Sequence, residues 1–302
     1  MIGIAIINYN SYKKTIECIE SIRDTTNIPF KIYLLDNASS NESQDVLAQE
    51  YKNSNDVEVI NSKENLGYAK GNNICIERMK EDQCQYGVIS NNDIVCTDGC
   101  IETLINDLKV KSNYLLVGPK IESPDGNYQK TIILREYTKI EYLRKNTYLA
   151  NLHKRAIKKE QKIVESIDSF TNVQWVSGAF FAFSIDNMTK IGKFDPNTFL
   201  YFEESILSKK ARENNLLLGY EPTALVKHYH SYSSGGWNNV KTKIAADKSE
   251  KYYFVQYTDS GKPYLYLLAL IRKMEAYYTY RKKKDWDKIR IYKKEMNDKM
   301  EK

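Results

Sequence analysis

Three runs that stop abruptly at clusters of short polar residues constrain this chain more than anything else in it. Ile2 to Ile7 is bounded by Asn8-Tyr9-Asn10, Lys31 to Leu35 ends in Asp36-Asn37-Ala38-Ser39, and Tyr86 to Ile89 breaks off into Ser90-Asn91-Asn92-Asp93. Apolar runs of this length fit strands buried on both faces, as in a parallel sheet covered by helices. Between the first two, Ser11 can cap a helix whose Ile16, Ile19 and Ile22 share one face up to about Thr26. Strand, helix, strand with polar tips is the βαβ unit of a nucleotide-binding sheet, which takes its ligand beyond the carboxyl ends of the strands.

Those tips carry chemistry. A carboxamide and a carboxylate two positions apart, Asn91 and Asp93, offer hard oxygen ligands to Mg2+ or Mn2+ carrying a diphosphate; Asn-Asn-Asp is equally good turn chemistry. Asp36, at the second tip, can accept two donors from a ribose or base edge, or it can cap the helix expected through Asp45 to Tyr51. A third short strand at Val57 to Ile60 leads to Asn65-Leu66-Gly67-Tyr68-Ala69-Lys70-Gly71-Asn72-Asn73. There the glycines admit close backbone approach, and Lys70 and the amides can reach phosphate or base, although no G-x-G-x-x-G pattern is present. Helices are expected over about Ala69 to Lys80 and Cys100 to Val110, with a strand at Tyr114 to Val117.

Further along, Thr138 to Glu165 reads as a basic amphipathic helix with Leu143, Tyr148, Leu149, Leu152 and Ile157 as candidate buried positions. Its cations form a solvated face, or a rim where an acidic or lipid-linked acceptor approaches. Val173 to Ser184 is strand-like, and Gly178 in its middle marks a bulge or a close approach of backbone to ligand. Glu203 and Glu204 open a helix, where its dipole stabilises them and where either can act as a general base. After a strand over Leu216 to Val226 come His228 and His230, two of the chain's three histidines. At i and i+2 on extended backbone they share a face, and either could be a ligand.

Charge is unevenly placed. Of a net +6, residues 262–302 hold 13 Lys and Arg against 6 Asp and Glu, so the rest of the chain is close to neutral. With Tyr and Leu interleaved among the cations, this tail can lie on an anionic leaflet, or form a helical hairpin packed on the body or on a second copy. Nucleic-acid binding is disfavoured, since no recognised motif accompanies the charge. The five cysteines are scattered, without a C-x-x-C pair, and read as reduced thiols of a cytosolic protein. The N-terminus lacks a basic n-region and a cleavage site, and reads as a first strand rather than a signal peptide. The apolar run Tyr264 to Ile271 falls far short of the roughly 20 residues of a membrane span.

In combination, INYN, LLDNASSN, NLGYAKGNN and ISNND, followed by WVSGAFFAF and FDPNTFLYFEES, resemble the family 2 glycosyltransferases, inverting enzymes of the GT-A fold, over roughly the first 235 residues. The resemblance implies a Rossmann-like, mostly parallel sheet flanked by helices as residues 1–237, with a helical insertion at about 138–165 and a basic helical extension at 238–302. It implies that Asn8, Tyr9, Asn10, Asp36, Asn65, Gly67, Lys70, Asn72, Asn92 and Asp93 hold a nucleotide-sugar, with Asp36 at the uracil or ribose. Asn91 and Asp93 take the D-x-D place that binds Mn2+ or Mg2+. His228, with Ser233, matches an H-x-x-x-x-S element that completes the cation's shell. Trp175, Gly178 and Ala179 border the sugar and acceptor. The family's Glu-Asp pair, whose second acid is the base, falls on Glu203-Glu204.

There are departures: Asn91 replaces the first Asp, Glu204 is one methylene longer than the usual Asp, and Ile206 stands where the family often has another acid. The activity implied is transfer of a sugar from a UDP- or dTDP-linked donor to a hydroxyl of a glycan or lipid-linked acceptor, in the cytoplasm or at the inner face of the plasma membrane. A sugar-nucleotide-binding scaffold and a nucleotidyltransferase are the rival readings. The latter usually has a Gly-rich basic loop after its first strand, which Asn8-Tyr9-Asn10 is not.

Overall fold

The three tipped runs become neighbours in one sheet. β1 (Ile2–Asn8), β2 (Phe30–Asp36), β3 (Val57–Asn61) and β4 (Tyr86–Asn91) lie in the order β3-β2-β1-β4, all parallel. The computed structural model describes residues 1–129, 131–229 and 239–297, so His230 and Ser233 lie outside the described residues. Ile4, Ala5 and Ile6 of β1 and Ile32 to Leu35 of β2 are fully enclosed, as strands covered on both faces must be. Register sets Asn8 beside Asp36 and Ile7 beside Asn91, so the polar tips finish along one edge.

Helices α1 (Tyr12–Thr25) and α2 (Ser43–Glu50) cover one face through Cys18, Ile19, Ile22 and Leu47, whereas α3 (Gly67–Glu81) covers the other through Ala69, Cys75, Ile76 and Met79. The crossover after β1 and the crossover into β4 therefore lie on opposite faces. This makes a topological switch point between β1 and β4, the place where open α/β sheets take ligands.

Beyond β4 the sheet is mixed. After β5 (Ile94–Cys96) and α4 (Cys100–Val110), β6 (Tyr114–Glu122) pairs with later strands, while β7 (Ile132–Ile133) leaves the main sheet. The segment Val173 to Ser184, expected as one strand, is divided. β8 (Thr171–Val173) joins the sheet edge, β9 (Trp175–Val176) forms a small ribbon with β7, and β10 (Phe180–Ser184) runs antiparallel between β4 and β6. The break at Ser177 to Ala179 brings that turn to the tip of β4. After α7 (Ile185–Lys190) and α8 (Glu203–Glu213), β11 (Leu217–His228) runs parallel to β6 and antiparallel to β5.

The stretch Thr138 to Glu165 is likewise not one helix. α5 (Lys139–Asn146) starts in a capping box between Thr138 and Glu141. Thr147 is extended (φ −125°, ψ −179°), and its side chain accepts from Leu149 N to start a short 3-10 turn over Tyr148–His153 before α6 (Lys154–Glu165). The phase of the apolar pattern is lost at that break. Leu143 is buried, but Leu152 is 79% exposed and Tyr148 is exposed as well.

The basic tail forms α9 (Val240–Gln256), α10 (Lys262–Lys282) and α11 (Trp286–Asn297), which share a core of Val240, Ile244, Ala276, Tyr280, Ile289 and Tyr292. A second cluster, Leu143, Phe254, Leu268 and Ile271 with Phe202 against it, joins them to α5 and to the start of α8. Asp195 fastens the end of α9 to the loop before α8, accepting from Tyr252 Oη at 2.9 Å and Tyr257 Oη at 2.5 Å. No helix among the described residues is long and apolar enough to cross a membrane.

Candidate active site

Asp36 is fully enclosed at the tip of β2. Its Oδ2 accepts from Asn8 Nδ2 and from Ser39 Oγ, both at 2.7 Å, and its Oδ1 accepts from Ser39 N at 2.9 Å. It is not the cap of α2, which begins at Ser43 with Glu42 at the cap position and no side-chain cap. Instead it fixes the turn after β2, where Ala38 is left-handed (φ 58°). Asn10, left-handed as well (φ 57°), accepts from Ser40 N at 2.7 Å, and Tyr9 beside it is half-buried.

The other end of the Asn8 amide continues the network. Asn8 Oδ1 accepts from Thr15 Oγ1 at 2.7 Å, and Thr15 Oγ1 receives Asn92 Nδ2 at 2.9 Å. Asn92 also donates to Ser11 Oγ at 2.7 Å, so Ser11 occupies the cap position of α1 but spends its oxygen on the β4 tip rather than on its own helix. Asn92 and Asn72 are buried, and Asn72 donates to the Tyr68 carbonyl at 3.1 Å within α3. Their amides are thus engaged inside the protein. Asn65 Oδ1 accepts from Gly67 N at 3.0 Å, and Lys70 is exposed.

Asp93 follows at once, 6% exposed, with Oδ1 at 3.1 Å from Nε2 of His228, the last residue of β11. Gln129 sets the imidazole. Its Nε2 donates to the His228 carbonyl at 2.9 Å, which turns its Oε1 toward His228 Nδ1 at 3.0 Å. An acceptor at Nδ1 puts the neutral ring's proton there and leaves the Nε2 lone pair facing the Asp93 carboxylate. Two electron-rich atoms so close fit a shared positive charge. An imidazole oriented from its far nitrogen beside a carboxylate offers two donors that suit a divalent cation, although no third His, Cys, Asp or Glu joins them among the described residues.

The same tip reaches the two glutamates. Asn91 N donates to Ala179 O at 2.8 Å, and Gly178 N donates to Glu204 Oε1 at 2.9 Å. A Cβ on Gly178 would sit 2.3 Å from that oxygen and 3.0 Å from Tyr68 Oη, so only glycine lets the carboxylate come this close. Tyr68 Oη holds the turn by donating to Gly178 O at 2.6 Å. Glu203 and Glu204 begin α8 after Tyr201 and Phe202, both left-handed (φ 69° and 71°), a conformation costing about 1–2 kcal/mol for each such residue. Burial pushes the Glu204 carboxyl above the usual range; burial and then the charge of Glu204 push Glu203 well above it. Glu203 is 2% exposed, and its Oε1 has no hydrogen-bond partner.

Over Glu204, Trp175 and Ser177 opens a cavity of about 1010 Å3 whose opposite wall is α9 and α10. Asp36, Asp93 and His228 are not among its walls; they connect to it through the Asn91 to Ala179 bond. Asp36, Asp93, His228 and Glu204 are thus linked along one edge of the sheet by hydrogen bonds and adjoining residues, and of the four only Glu204 lines the cavity. Sequence reasoning passed over Thr15, Gln129 and the far wall of the cavity. Thr15 had a signal, a polar residue on a face otherwise made of Cys18, Ile19 and Ile22, whereas Gln129 had none.

Residues 3–171 match the family model of glycosyl transferase family 2. An N-acetylglucosaminyl-diphospho-decaprenol L-rhamnosyltransferase of Mycobacterium tuberculosis is 23% identical over 270 residues, 86% of either chain. Among solved structures, the chain is similar to GalNAc-T7 with UDP, GalNAc and Mn2+ (TM-score 0.59, 15% identity, 84% of this chain and 49% of that one). It is also similar to the mannosyltransferase PcManGT of Pyrobaculum calidifontis with GDP-Man and Mn2+ (TM-score 0.56, 12% identity, 91% of this chain and 71% of that one). The chain spans about half the length of GalNAc-T7, and at such identities these likenesses speak for the GT-A fold alone. The matched family span takes in more than half of the chain, from β1 through the parallel sheet and the Asn91–Asp93 tip to the start of β8, and the chain belongs to glycosyl transferase family 2.

Proposed function

We propose that this glycosyltransferase moves a sugar, with inversion, from a UDP- or dTDP-linked donor to a hydroxyl of a glycan or lipid-linked acceptor in cell-surface polysaccharide or glycoconjugate synthesis. The observation that carries the reading is the convergence of Asp36, Asp93 and His228, and Glu204 on one edge of the sheet through a continuous series of contacts. Asn8 and Asp36, fully enclosed and bonded to each other and to Ser39, brace the tips of β1 and β2 beside the switch point, where the base or ribose of the donor would lie. Asp93, His228 and Asn91 would hold Mn2+ or Mg2+. When bound, the cation supplies positive charge to offset that developing on the departing nucleoside diphosphate.

Glu204 takes the acceptor proton. A single displacement needs a base on the side opposite the leaving group, and Glu204 faces the cavity while Asp93 does not line it. Its burial makes it a stronger base than an exposed carboxylate once ionised, and the Gly178 N–H, donating to Oε1, holds the carboxylate in place. Burial and the charge of Glu204 push the Glu203 carboxyl behind it well above the usual range, which favours its neutral form and would spare the site a second negative charge.

The name of the mycobacterial relative supports a saccharide on a lipid diphosphate as acceptor. The face of α10 away from the cavity supports contact with the membrane that would carry it: Leu267, Leu270 and Tyr277 are exposed there, and the basic run from Arg281 follows. Each basic residue near an anionic leaflet adds about 1 kcal/mol. Nucleotide-sugars screened for nucleoside diphosphate release with Mn2+, and the anomeric configuration of the product read by NMR, test the reading. Asp93→Ala should be inactive with the donor that wild type uses; normal metal-dependent turnover by that variant would overturn it.

A further inference from the structure

The loop expected to hold the nucleotide and the loop that carries Glu204 are both fastened to the first turn of α3. That turn is tied backward to the tip of β2. Asn37, 3% exposed and next to Asp36, accepts from Leu66 N at 2.8 Å and donates to Asn65 Oδ1 at 3.1 Å and to Gly67 O at 3.3 Å. The same turn is tied forward to the segment before α8. Tyr68 N donates to Phe199 O at 2.9 Å, and a Cβ on Gly67, left-handed at φ 72°, would stand 2.3 Å from that oxygen. Further along α3, the Asn73 amide donates to Phe194 O at 2.9 Å and accepts from Phe194 N at 3.1 Å.

Tyr68 also reaches the support of the base itself. Its ring packs edge-on against Phe194, with centroids 5.6 Å apart, and its hydroxyl donates to Gly178 O at 2.6 Å, while Gly178 N donates to Glu204 Oε1 at 2.9 Å. Position 178 must lack a Cβ to admit the carboxylate, and a residue without a Cβ is the least able to hold its own backbone angles. The Tyr68 bond supplies that hold. With both N and O of Gly178 engaged, the two peptide planes that meet at its Cα are fixed. Burial, and then the charges of Glu204 and Glu203, push the phenol well above its ordinary value, so the hydroxyl keeps the proton it donates.

We infer that Tyr68 is a positioning residue that joins the donor loop to the base: the Asn65–Gly67 turn sets its main chain, its hydroxyl fixes Gly178, and Gly178 fixes Glu204, so a nucleotide that orders the loop also sets the carboxylate. The inference rests on the reading of Glu204 as base and of Asn65 to Asn73 as donor loop, and adds the link between them. Coupling of this kind needs a continuous physical path, and each step of this one is a hydrogen bond or an adjoining residue.

Tyr68→Phe deletes the hydroxyl and keeps the ring against Phe194. Hydrogen exchange, read by mass spectrometry with UDP or dTDP and Mn2+, should be slowed in wild type both in peptides covering residues 64–74 and in those covering 175–182. In Tyr68→Phe the first protection should stay and the second should be lost. In nucleoside diphosphate release from the matching nucleotide-sugar, kcat should fall about tenfold or more with the donor KM within about twofold. The acid limb of the kcat profile should move to higher pH, because the Gly178 N–H that favours ionised Glu204 is no longer held in place. A tyrosine that only stabilises the fold would lower Tm without separating the two protections or moving the limb. No nucleotide protection of 175–182 in a wild type protected at 64–74, protection there that survives the substitution, an unmoved acid limb, or a variant that fails to fold would overturn the inference. Two other results are distinguishable failures: no protection of 64–74 by either nucleotide sinks the donor-loop reading, and normal turnover by Glu204→Gln sinks the base reading, and this inference falls with either.

Discussion

Replacing Gly178 by alanine tests the placement of Glu204 without touching its chemistry. The added Cβ would lie 2.3 Å from Glu204 Oε1, and ordinary contact begins near 3.4 Å, so the carboxylate must retreat by about 1.1 Å or the turn must open. Tyr68 Oη, at 3.0 Å from the same Cβ and bonded to the Gly178 carbonyl, resists the second route. Misplacement of a reacting group by about 1 Å can cost roughly 100-fold in rate. That corresponds to about 2.7 kcal/mol of barrier, within the roughly 1.5–3 kcal/mol associated with a hydrogen bond to a charged group such as the one Gly178 N makes. The assay is steady-state transfer with donor and acceptor varied separately. kcat should fall about 100-fold while the donor KM stays within about twofold, because Asp36 and Asp93 are not displaced. In a Glu204→Gln background the same substitution should cost little, since no carboxylate remains to misplace. A Gly178→Ala enzyme within about threefold of wild type, or a penalty that persists in full beside Glu204→Gln, refutes the argument.

Further outcomes follow from the same geometry. Because burial raises the Glu204 carboxyl and the base acts ionised, the acid limb of the kcat profile should lie above the ordinary carboxylate value of about 4.3, with rate rising as pH rises through it; a limb at or below that value counts against Glu204. Glu203 favours its protonated form in the fold. Its contribution to stability is therefore full at low pH and lost as pH rises from the unfolded carboxylate value toward the raised folded one, so Glu203→Gln should raise Tm at pH 8 and leave it near wild type at pH 4. Gln129→Ala should weaken Mn2+ binding by roughly 10- to 100-fold, measured by titration, because the imidazole of His228 loses the partner that orients it.

How much of this could be read from sequence depended on the range of the forces involved. The tips of β1, β2 and β4 were legible because a buried strand must be apolar along its length and a ligand edge must be polar, so both facts are written locally. β10 was not legible in orientation, because an antiparallel insertion in a parallel sheet leaves no mark on its own residues. Gly178 marked a bulge or close approach in its segment, but not that the strand divides there, since the demand for the division comes from Glu204, 26 positions away. The helix expected over Thr138 to Glu165 failed at Thr147, whose hydroxyl does locally what a helix cap does and resets the phase. The cations of α10 read as a surface for an anionic leaflet or as part of a hairpin packed on the body or on a second copy; that Arg272 turns inward to Glu250 depends on packing against α5, which the spacing does not encode.

The Asp195 fastening bears on how such a chain can diversify. The loop that ends in the two left-handed aromatics before α8 is held at one end by Tyr252 and Tyr257 of the last helices. The helix that helps to wall the cavity therefore also steadies the loop that carries the proposed base. Exchanging those helices wholesale between relatives would not give a clean transplant of specificity: a graft lacking both phenols would arrive with a slack catalytic loop, and a new substrate preference would have to evolve together with the tie that keeps the glutamate in position.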